Sequence, residues 1–230
     1  MSPIPTTRKA PVPTGLQAVL FDMDGTLVDT ERLWLRTVEE EALGLGLALT
    51  EADLASVLGR AIEPCARHLA SRAARDADPA RLAASLERRF TELVRGRVEP
   101  LPGVVELLAA LRTAGMPTAL VSASPRPVVD TVLDALGRHH FATSVAEGET
   151  PRTKPFPDPY RAALTALGAA AARCVAVEDT PTGVASAEAA GCAVLAVPSY
   201  APVLPAARRT VAGTLLEVDL AFLRRLVAVP

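Results

Sequence analysis

Aromatic side chains are scarce in this chain, at 3% of 230 residues, with one tryptophan and two tyrosines. That leaves few stacking platforms for single-stranded nucleic acid. Neither sign of charge is in excess: 24 basic residues face 26 acidic ones, the net charge is -2, and no basic tract supplies the field a phosphate backbone needs. Long apolar runs are missing as well, so no segment of membrane-spanning length is present. The leader 1–15, MSPIPTTRKAPVPTG, has prolines and cations but no apolar signal region, and reads as a disordered tail on a cytoplasmic protein. Cys65, Cys174 and Cys192 form an odd set without metal spacing, expected to be reduced, buried thiols. Neither a nucleic acid nor a membrane is expected as a partner.

Half the residues are hydrophobic, and the length suffices for one large or two smaller cores. The stretch that organises them is Ala18 to Glu31, AVLFDMDGTLVDTE. Ala18 to Phe21 is apolar without alternation, as in a strand buried on both faces of a parallel sheet, and it delivers Asp22 and Asp24 to its carboxyl end. Ligands of open α/β sheets bind at that end. Gly25 permits a sharp turn, and Thr30 or Asp29 is placed to cap a following helix. Two carboxylates at a strand end repel each other and cost desolvation, so a cation or a reaction must compensate. A hard divalent metal is the natural candidate, although Asp-x-Asp-Gly alone is equally a turn or a calcium loop.

From Thr30 to about Arg97 the spacing predicts helices: Glu31 to Leu43, Thr50 to Leu58, Glu63 to Arg75, and one carrying the stripe Leu82, Leu86, Phe90 and Leu93. Glu39 to Glu41 and Glu87 to Arg89 read as a solvated face. After Pro100 the pattern alternates between helix and strand, the mark of a parallel sheet with crossover helices. Helices are expected at Val104–Thr113, Pro127–Leu136, Tyr160–Leu167 and Thr182–Ala190. Strands are expected at Thr118–Val121, Ser144–Ala146, Cys174–Val177 and Ala193–Val197. The fold class is therefore α/β, a doubly wound parallel-sheet core with an inserted helical-bundle cap. The expected division is a leader (1–15), a core (16–29 and 98–230) and a cap (30–97).

Further polar residues fall at or just past strand ends: Ser122 after ALV, Lys154 in TPRTKPFPDPY, and Glu178-Asp179 after CVAV. Taken singly, each reads as a turn, cap or surface residue. Lys154 carries an argument of its own. The chain has 22 arginines and only two lysines, Lys9 and Lys154, so a lysine kept in this loop points to a need for a compact ammonium.

Together these residues resemble the haloacid dehalogenase superfamily. The four motifs stand in the family's order: Asp22-x-Asp24-Gly25-Thr26, Ser122, Lys154-Pro155 with Asp158-Pro159-Tyr160 behind it, and Glu178-Asp179 before Thr180-Pro181-Thr182-Gly183. The resemblance runs from Gln17 to Val197. It is closest to members with a helical cap after the first strand, a group that includes sugar-phosphate phosphatases and beta-phosphoglucomutase. It implies Asp22 as nucleophile, Asp24 as general acid and base, and Ser122 and Lys154 on the phosphoryl oxygens. Backbone N–H groups near Met23 and Ala123 would complete the phosphate cradle. It also implies Mg²⁺ held by the Asp22 side chain, the Asp24 carbonyl and Asp179, with Glu178 beside them. One departure is Ala146-Glu147-Gly148-Glu149, with glutamate where relatives often carry aspartate.

The chemistry agrees with that implication. A phosphate dianion repels a carboxylate, so Asp22 can attack phosphorus only where positive charge neutralises the phosphate and the geometry is in line. The expected activity is a Mg²⁺-dependent phosphatase acting on a small phosphorylated metabolite, such as a sugar or polyol phosphate, through an aspartyl-phosphate. A phosphomutase is the alternative enzyme, and a phosphate-responsive binding module the non-enzymatic one. The mutase uses a histidine early in the first cap helix, where this chain has Trp34, and indole exchanges no proton near neutral pH. Its cap arginine aligns with Ile62 in Gly59-Arg60-Ala61-Ile62. No substrate group can be assigned to Trp34, Arg60, Glu63 or His68 from the sequence. A monomer is expected, with a dimer the alternative.

Overall fold

Buried apolar tetrapeptides build the centre of this protein. The computed structural model describes residues 15–57, 60–73, 77–199 and 201–227; the expected tail up to residue 14 lies outside them. Its strands are β1 (Ala18–Phe21), β2 (Thr118–Val121), β3 (Thr143–Val145), β4 (Cys174–Glu178), β5 (Ala193–Ala196) and β6 (Arg209–Val211). They form one parallel sheet in the order β3-β2-β1-β4-β5-β6. The chain winds outward from β1 through β2 to β3, then returns to the opposite side of β1. The switch point of this doubly wound sheet therefore lies between β1 and β4.

Both faces are covered, which explains the unbroken apolar runs. Val19 and Phe21 face one core with Leu107, Val128, Val132 and Leu223. Ala18 and Leu20 face another with Tyr160, Ala163, Val184 and Ala187. All four residues of β1 are fully buried, so a truncation such as Leu20→Ala costs about 2–5 kcal/mol.

Among the described residues, β1 is followed by four helices before the next strand-and-helix alternation: α1 (Glu31–Gly44), α2 (Glu51–Val57), α3 (Ile62–Arg72) and α4 (Pro79–Val94). Each has a local reason for its bounds. Thr50 and Asp53 hold each other's backbone N–H groups at 2.8 and 3.3 Å, a reciprocal cap that starts α2. Asp78 accepts from Ala80 N at 3.0 Å, with Pro79 at the first helical position of α4. The third helix ends earlier than expected, because Ala73 is extended; the expected ends Leu58 and Arg75 lie outside the described residues. The stripe of α4 closes on Val94, fully buried, rather than on Leu93, because 82, 86, 90 and 94 continue one i+4 ridge.

The acidic run of α1 is more than a solvated face. Arg89 of α4 reaches Glu40 at 3.2 Å and Glu41 at 2.7 Å, and Ser85 donates to Glu41 at 2.6 Å. At such exposure each ion pair adds about 0.2–1 kcal/mol. The first turn of α1 also departs from expectation. Thr30 occupies the cap position but makes no side-chain cap; its hydroxyl goes to Asp24 instead.

The chain leaves and re-enters the sheet layer through adjacent segments. Leu101 N bonds to Leu27 O at 2.9 Å and Asp29 N to Glu99 O at 3.4 Å, around an antiparallel bridge between Val28 and Pro100. Then come α5 (Val104–Thr113), α6 (Arg126–Leu136), α7 (Asp158–Leu167), α8 (Pro181–Ala190) and α9 (Leu220–Val227). Strand β6 and helix α9 were not expected from the sequence. Arg209–Val211 is a short, half-buried edge strand without an apolar run, and α9 spans only 8 residues.

Candidate active site

The parallel register decides which side chains meet. Phe21 pairs with Leu120 on one side and Val177 on the other, so the next residues, Asp22, Val121-Ser122 and Glu178, emerge at one level. Asp22 N donates to Val177 O and Ser122 N to Val145 O, both at 2.9 Å, which fixes the strand ends that carry the polar groups.

Lys154 reaches into this cluster from the loop before α7. Its side chain is 5% exposed, and Nζ donates to Asp22 Oδ1 at 2.6 Å, Glu178 Oε1 at 2.6 Å and Val121 O at 2.9 Å. Three acceptors match the ammonium's three donors, an arrangement the planar guanidinium fork does not reproduce. Burial pulls the ammonium's pKa down, but the neighbouring Asp22 and Glu178 charges outweigh it and hold the pKa above its ordinary value. Tyr160, fully buried, donates to Glu178 Oε1 at 2.6 Å and presents its ring to Nζ at 5.3 Å.

Asp22, Glu178 and Asp179 each offer a carboxylate oxygen within 4.8 Å of the others. Burial, then the charges of Asp22 and Glu178, push Asp179 up to about 9. Burial also raises Glu178, against the pull of Lys154. Among the described residues, Asp22 Oδ2 and Glu178 Oε2 are buried without a hydrogen-bond partner. Several hard oxygens facing one ammonium, two of them orphaned, fit a hard divalent cation, which would remove the repulsion that raises these groups. Two glycines make the close packing possible. Gly25 has φ +81, and a Cβ there would lie 2.3 Å from Asp179 Oδ2; one at Gly183, in the first turn of α8, would lie 1.9 Å from Glu178 Oε2.

Asp24 has a different environment from Asp22 although only one residue separates them. Its carboxylate accepts from Thr30 Oγ1, from Ser122 Oγ at 3.1 Å and from Ser124 Oγ at 2.8 Å. Burial, then the charge of Asp22, raises its pKa over the opposing effect of these hydroxyls. Ser122 thus faces Asp24, and a phosphoryl oxygen must compete with that carboxylate for its hydroxyl. Met23 is fully buried, its carbonyl taken by Leu27 N at 2.9 Å.

A cavity of about 50 Å³ opens over the cluster, bounded by Ala123, Ser124 and Lys154 below and Glu31, Trp34 and Phe90 above. Of the cap residues left open by the sequence, Trp34 and Arg60 line this cavity. His68 is bonded to Asp53 at 2.8 Å, and Glu63 lines a wider cleft between α3, α4 and the start of α6. Trp34 both walls the cavity and packs, with its ring edge-on to Phe90 at 5.3 Å and its Nε1 bonded to Val57 O at 2.9 Å.

The structure therefore gathers Asp22, Asp24, Ser122, Lys154, Glu178 and Asp179 at one edge, with Met23 and Ala123 between them. Reading the sequence missed Ser124, Tyr160, Ser199 and Glu31. Tyr160 had a signal in Asp158-Pro159-Tyr160, and Ser124 in lying two residues past Ser122. Ser199, whose Oγ donates to Asp179 Oδ2 at 2.5 Å, lies beyond the last motif and had none.

Comparison with known proteins accords with this geometry. The chain is 37% identical over 188 residues to hexitol phosphatase A of Escherichia coli, covering 77% of this chain and 81% of that one. It is 34% identical over 197 residues to protein CbbY of Rhodobacter capsulatus, covering 80% and 86%. The crystal structure of CbbY from Rhodobacter sphaeroides in complex with phosphate superposes with a TM-score of 0.78 at 28% identity, over 90% of this chain and 99% of that one. The model of the haloacid dehalogenase-like hydrolases matches residues 16–191, and the chain belongs to that family.

Proposed function

We propose that this hydrolase is a Mg²⁺-dependent phosphatase that releases phosphate from a small sugar or polyol phosphate through an aspartyl-phosphate on Asp22. The enzyme is a phosphoric monoester hydrolase of the haloacid dehalogenase-like kind, which sets aside the binding-module alternative. The observation that carries the mechanism is the split between two neighbouring carboxylates. Asp22 accepts from the Lys154 ammonium at 2.6 Å, while Asp24 lies in a hydroxyl cage with a raised pKa. Carboxylates whose environments are pushed apart in this way divide the work of nucleophile and acid.

In the first half-reaction an Asp22 oxygen forms a bond to phosphorus as the bond to the leaving alcohol breaks, and Asp24 gives that oxygen its proton. Lys154 and the Ser122 hydroxyl hold the phosphoryl oxygens, with the Met23 and Ala123 backbone beside them. In the second half Asp24, now ionised, takes a proton from water as the water attacks phosphorus, and the bond to Asp22 breaks. Asp22, Asp179 and the Asp24 carbonyl would hold Mg²⁺ with Glu178 beside them, and the ion would supply charge neutralisation for the phosphate.

Phosphate release across a panel of sugar, polyol and carboxylate phosphates, with Mg²⁺ and with chelator, tests the reading. Release that requires Mg²⁺ and favours sugar or polyol esters is expected. With beta-glucose 1-phosphate and a trace of the 1,6-bisphosphate, glucose 6-phosphate forming faster than inorganic phosphate would overturn it in favour of the mutase. Trp34 counts against that outcome, since its one polar atom is committed to Val57 O.

A further inference from the structure

The three clustered carboxylates are not fixed by the same means. Lys154 Nζ bonds both Asp22 Oδ1 and Glu178 Oε1, and the Tyr160 hydroxyl adds a second donor to Glu178. The third donor of Lys154 goes to Val121 O, so Asp179, only 1% exposed, must find its donors elsewhere. Among the described residues its carboxylate accepts from two hydroxyls. Thr26 Oγ1 reaches Oδ1 only at 3.5 Å, beyond the ordinary range of an O–H···O bond, whereas Ser199 Oγ meets Oδ2 at 2.5 Å.

Backbone register brings Ser199 there. β5 runs parallel to β4 with Ala196 opposite Glu178, and the Val197 N–H donates to Glu178 O at 2.8 Å, so the chain leaving β5 starts beside the end of β4. Ser199 follows shortly after, and its hydroxyl meets the residue next to Glu178. Gly25 leaves the room for it: a Cβ there would lie 2.3 Å from Asp179 Oδ2 and 3.1 Å from Ser199 Oγ. The hydroxyl thus occupies a notch between the first and fourth motifs, although it belongs to neither. Ser199 is itself exposed, so no core packing depends on it.

Building on the Mg²⁺ assignment proposed above, we infer that Ser199 is a positioning residue for the metal centre, holding the Asp179 carboxylate beside those of Asp22 and Glu178 as a shared cation requires. A carboxylate oxygen has lone pairs for two partners, so accepting from a hydroxyl leaves it able to bind an ion. Without that donor, binding must also order the Asp179 side chain, and that cost lowers affinity. Partners that orient ligating side chains in this way are worth about 10–100-fold in metal affinity.

Mn²⁺, which shares the preference of Mg²⁺ for octahedral oxygen donors, reports occupancy without turnover through loss of its free-ion electron paramagnetic resonance signal. Ser199→Ala should weaken Mn²⁺ binding by about tenfold and raise the Mg²⁺ concentration for half-maximal phosphate release by a similar factor. Its melting temperature without metal should stay at the wild-type value, which separates positioning from a structural role. Ser199→Thr, which keeps the hydroxyl, should bind Mn²⁺ nearly as the wild type does. Unchanged or tighter binding in Ser199→Ala, or no recovery in Ser199→Thr, overturns the inference. A wild type that binds Mn²⁺ but releases phosphate from no ester would overturn the phosphatase reading and leave this one standing. A wild type that binds no Mn²⁺ overturns the metal assignment and this inference with it.

Discussion

The two sides of the cavity are built by different means. Below it, strand register places the groups: Asp22 and Ser122 each continue a buried strand and Glu178 ends one, and backbone bonds of 2.8–2.9 Å fix where they emerge. Above it, side chains do the placing. Trp34 is oriented by Phe90 and the Val57 carbonyl, and α2 is anchored through Asp53, which binds His68 and Arg72. A wall held by a few side-chain contacts can change its lining without moving the sheet. On the function proposed above, the chemistry belongs to the sheet side and the helical side is left to meet the rest of the substrate.

The largest effect should come from the sheet side. Asp22→Asn keeps the shape but cannot form the acyl-phosphate, so turnover should fall at least about a thousandfold while circular dichroism and the melting temperature stay near wild type. Activity within tenfold of wild type would refute the nucleophile. Lys154→Arg follows: one ammonium bonds three acceptors here, and loss of that fit should cost about a hundredfold in kcat. Full kcat in this variant would break the link between the compact charge and the site.

On the cap side the expected losses are smaller and of another kind. Trp34→Phe keeps the contact with Phe90 and removes the donor to Val57 O, which should cost about 1–3 kcal/mol of stability and raise KM more than it lowers kcat. A kcat loss as large as that of Lys154→Arg would erase the proposed division between the halves. The smallest effect concerns Glu147, whose backbone N bonds Ser124 O at 3.0 Å and whose carboxylate takes the Ile62 N–H at the start of α3. Burial, then the charge of Glu63, pushes it up to about 7, with Glu87 adding to the effect and Arg67 and Arg126 lining the same cleft. The folded protein therefore keeps a proton that the unfolded chain releases, and stability should fall as pH rises from about 4.5 to about 7. Glu147→Gln should flatten that part of the melting-temperature profile, and an unaltered slope would remove Glu147 from the contact.

The same contrast explains what the sequence revealed. Apolar tetrapeptides such as AVLF and CVAV announce buried parallel strands, and a strand's end announces where its next residue goes, so the acidic groups were legible together, while Lys154 was legible as a lone lysine among arginines. Register is a backbone property, and four residues are enough to declare it. What escaped was set by side chains meeting across long separations. Nothing near Thr30 says that its hydroxyl turns back to Asp24 instead of capping α1, and nothing near Ser199 says that it meets Asp179. The cap helices were legible from their stripes, but Arg89 stitching α1 to α4 was hidden among charges that any surface carries. Edge strand β6 was lost because a half-exposed Arg-Thr-Val has no pattern to read.

The paired segments Leu27–Asp29 and Glu99–Leu101 bear on ancestry. Because the departing and returning backbones lie side by side and bond each other, everything between them hangs from one doorway. A loop whose ends are already joined can lengthen, shrink or be exchanged at little entropic cost to the fold that carries it, since each doubling of length adds only about 0.6 kcal/mol. Heredity can thus treat the helical segment as a cassette, replaced or rewritten for a new substrate while the sheet passes down unchanged.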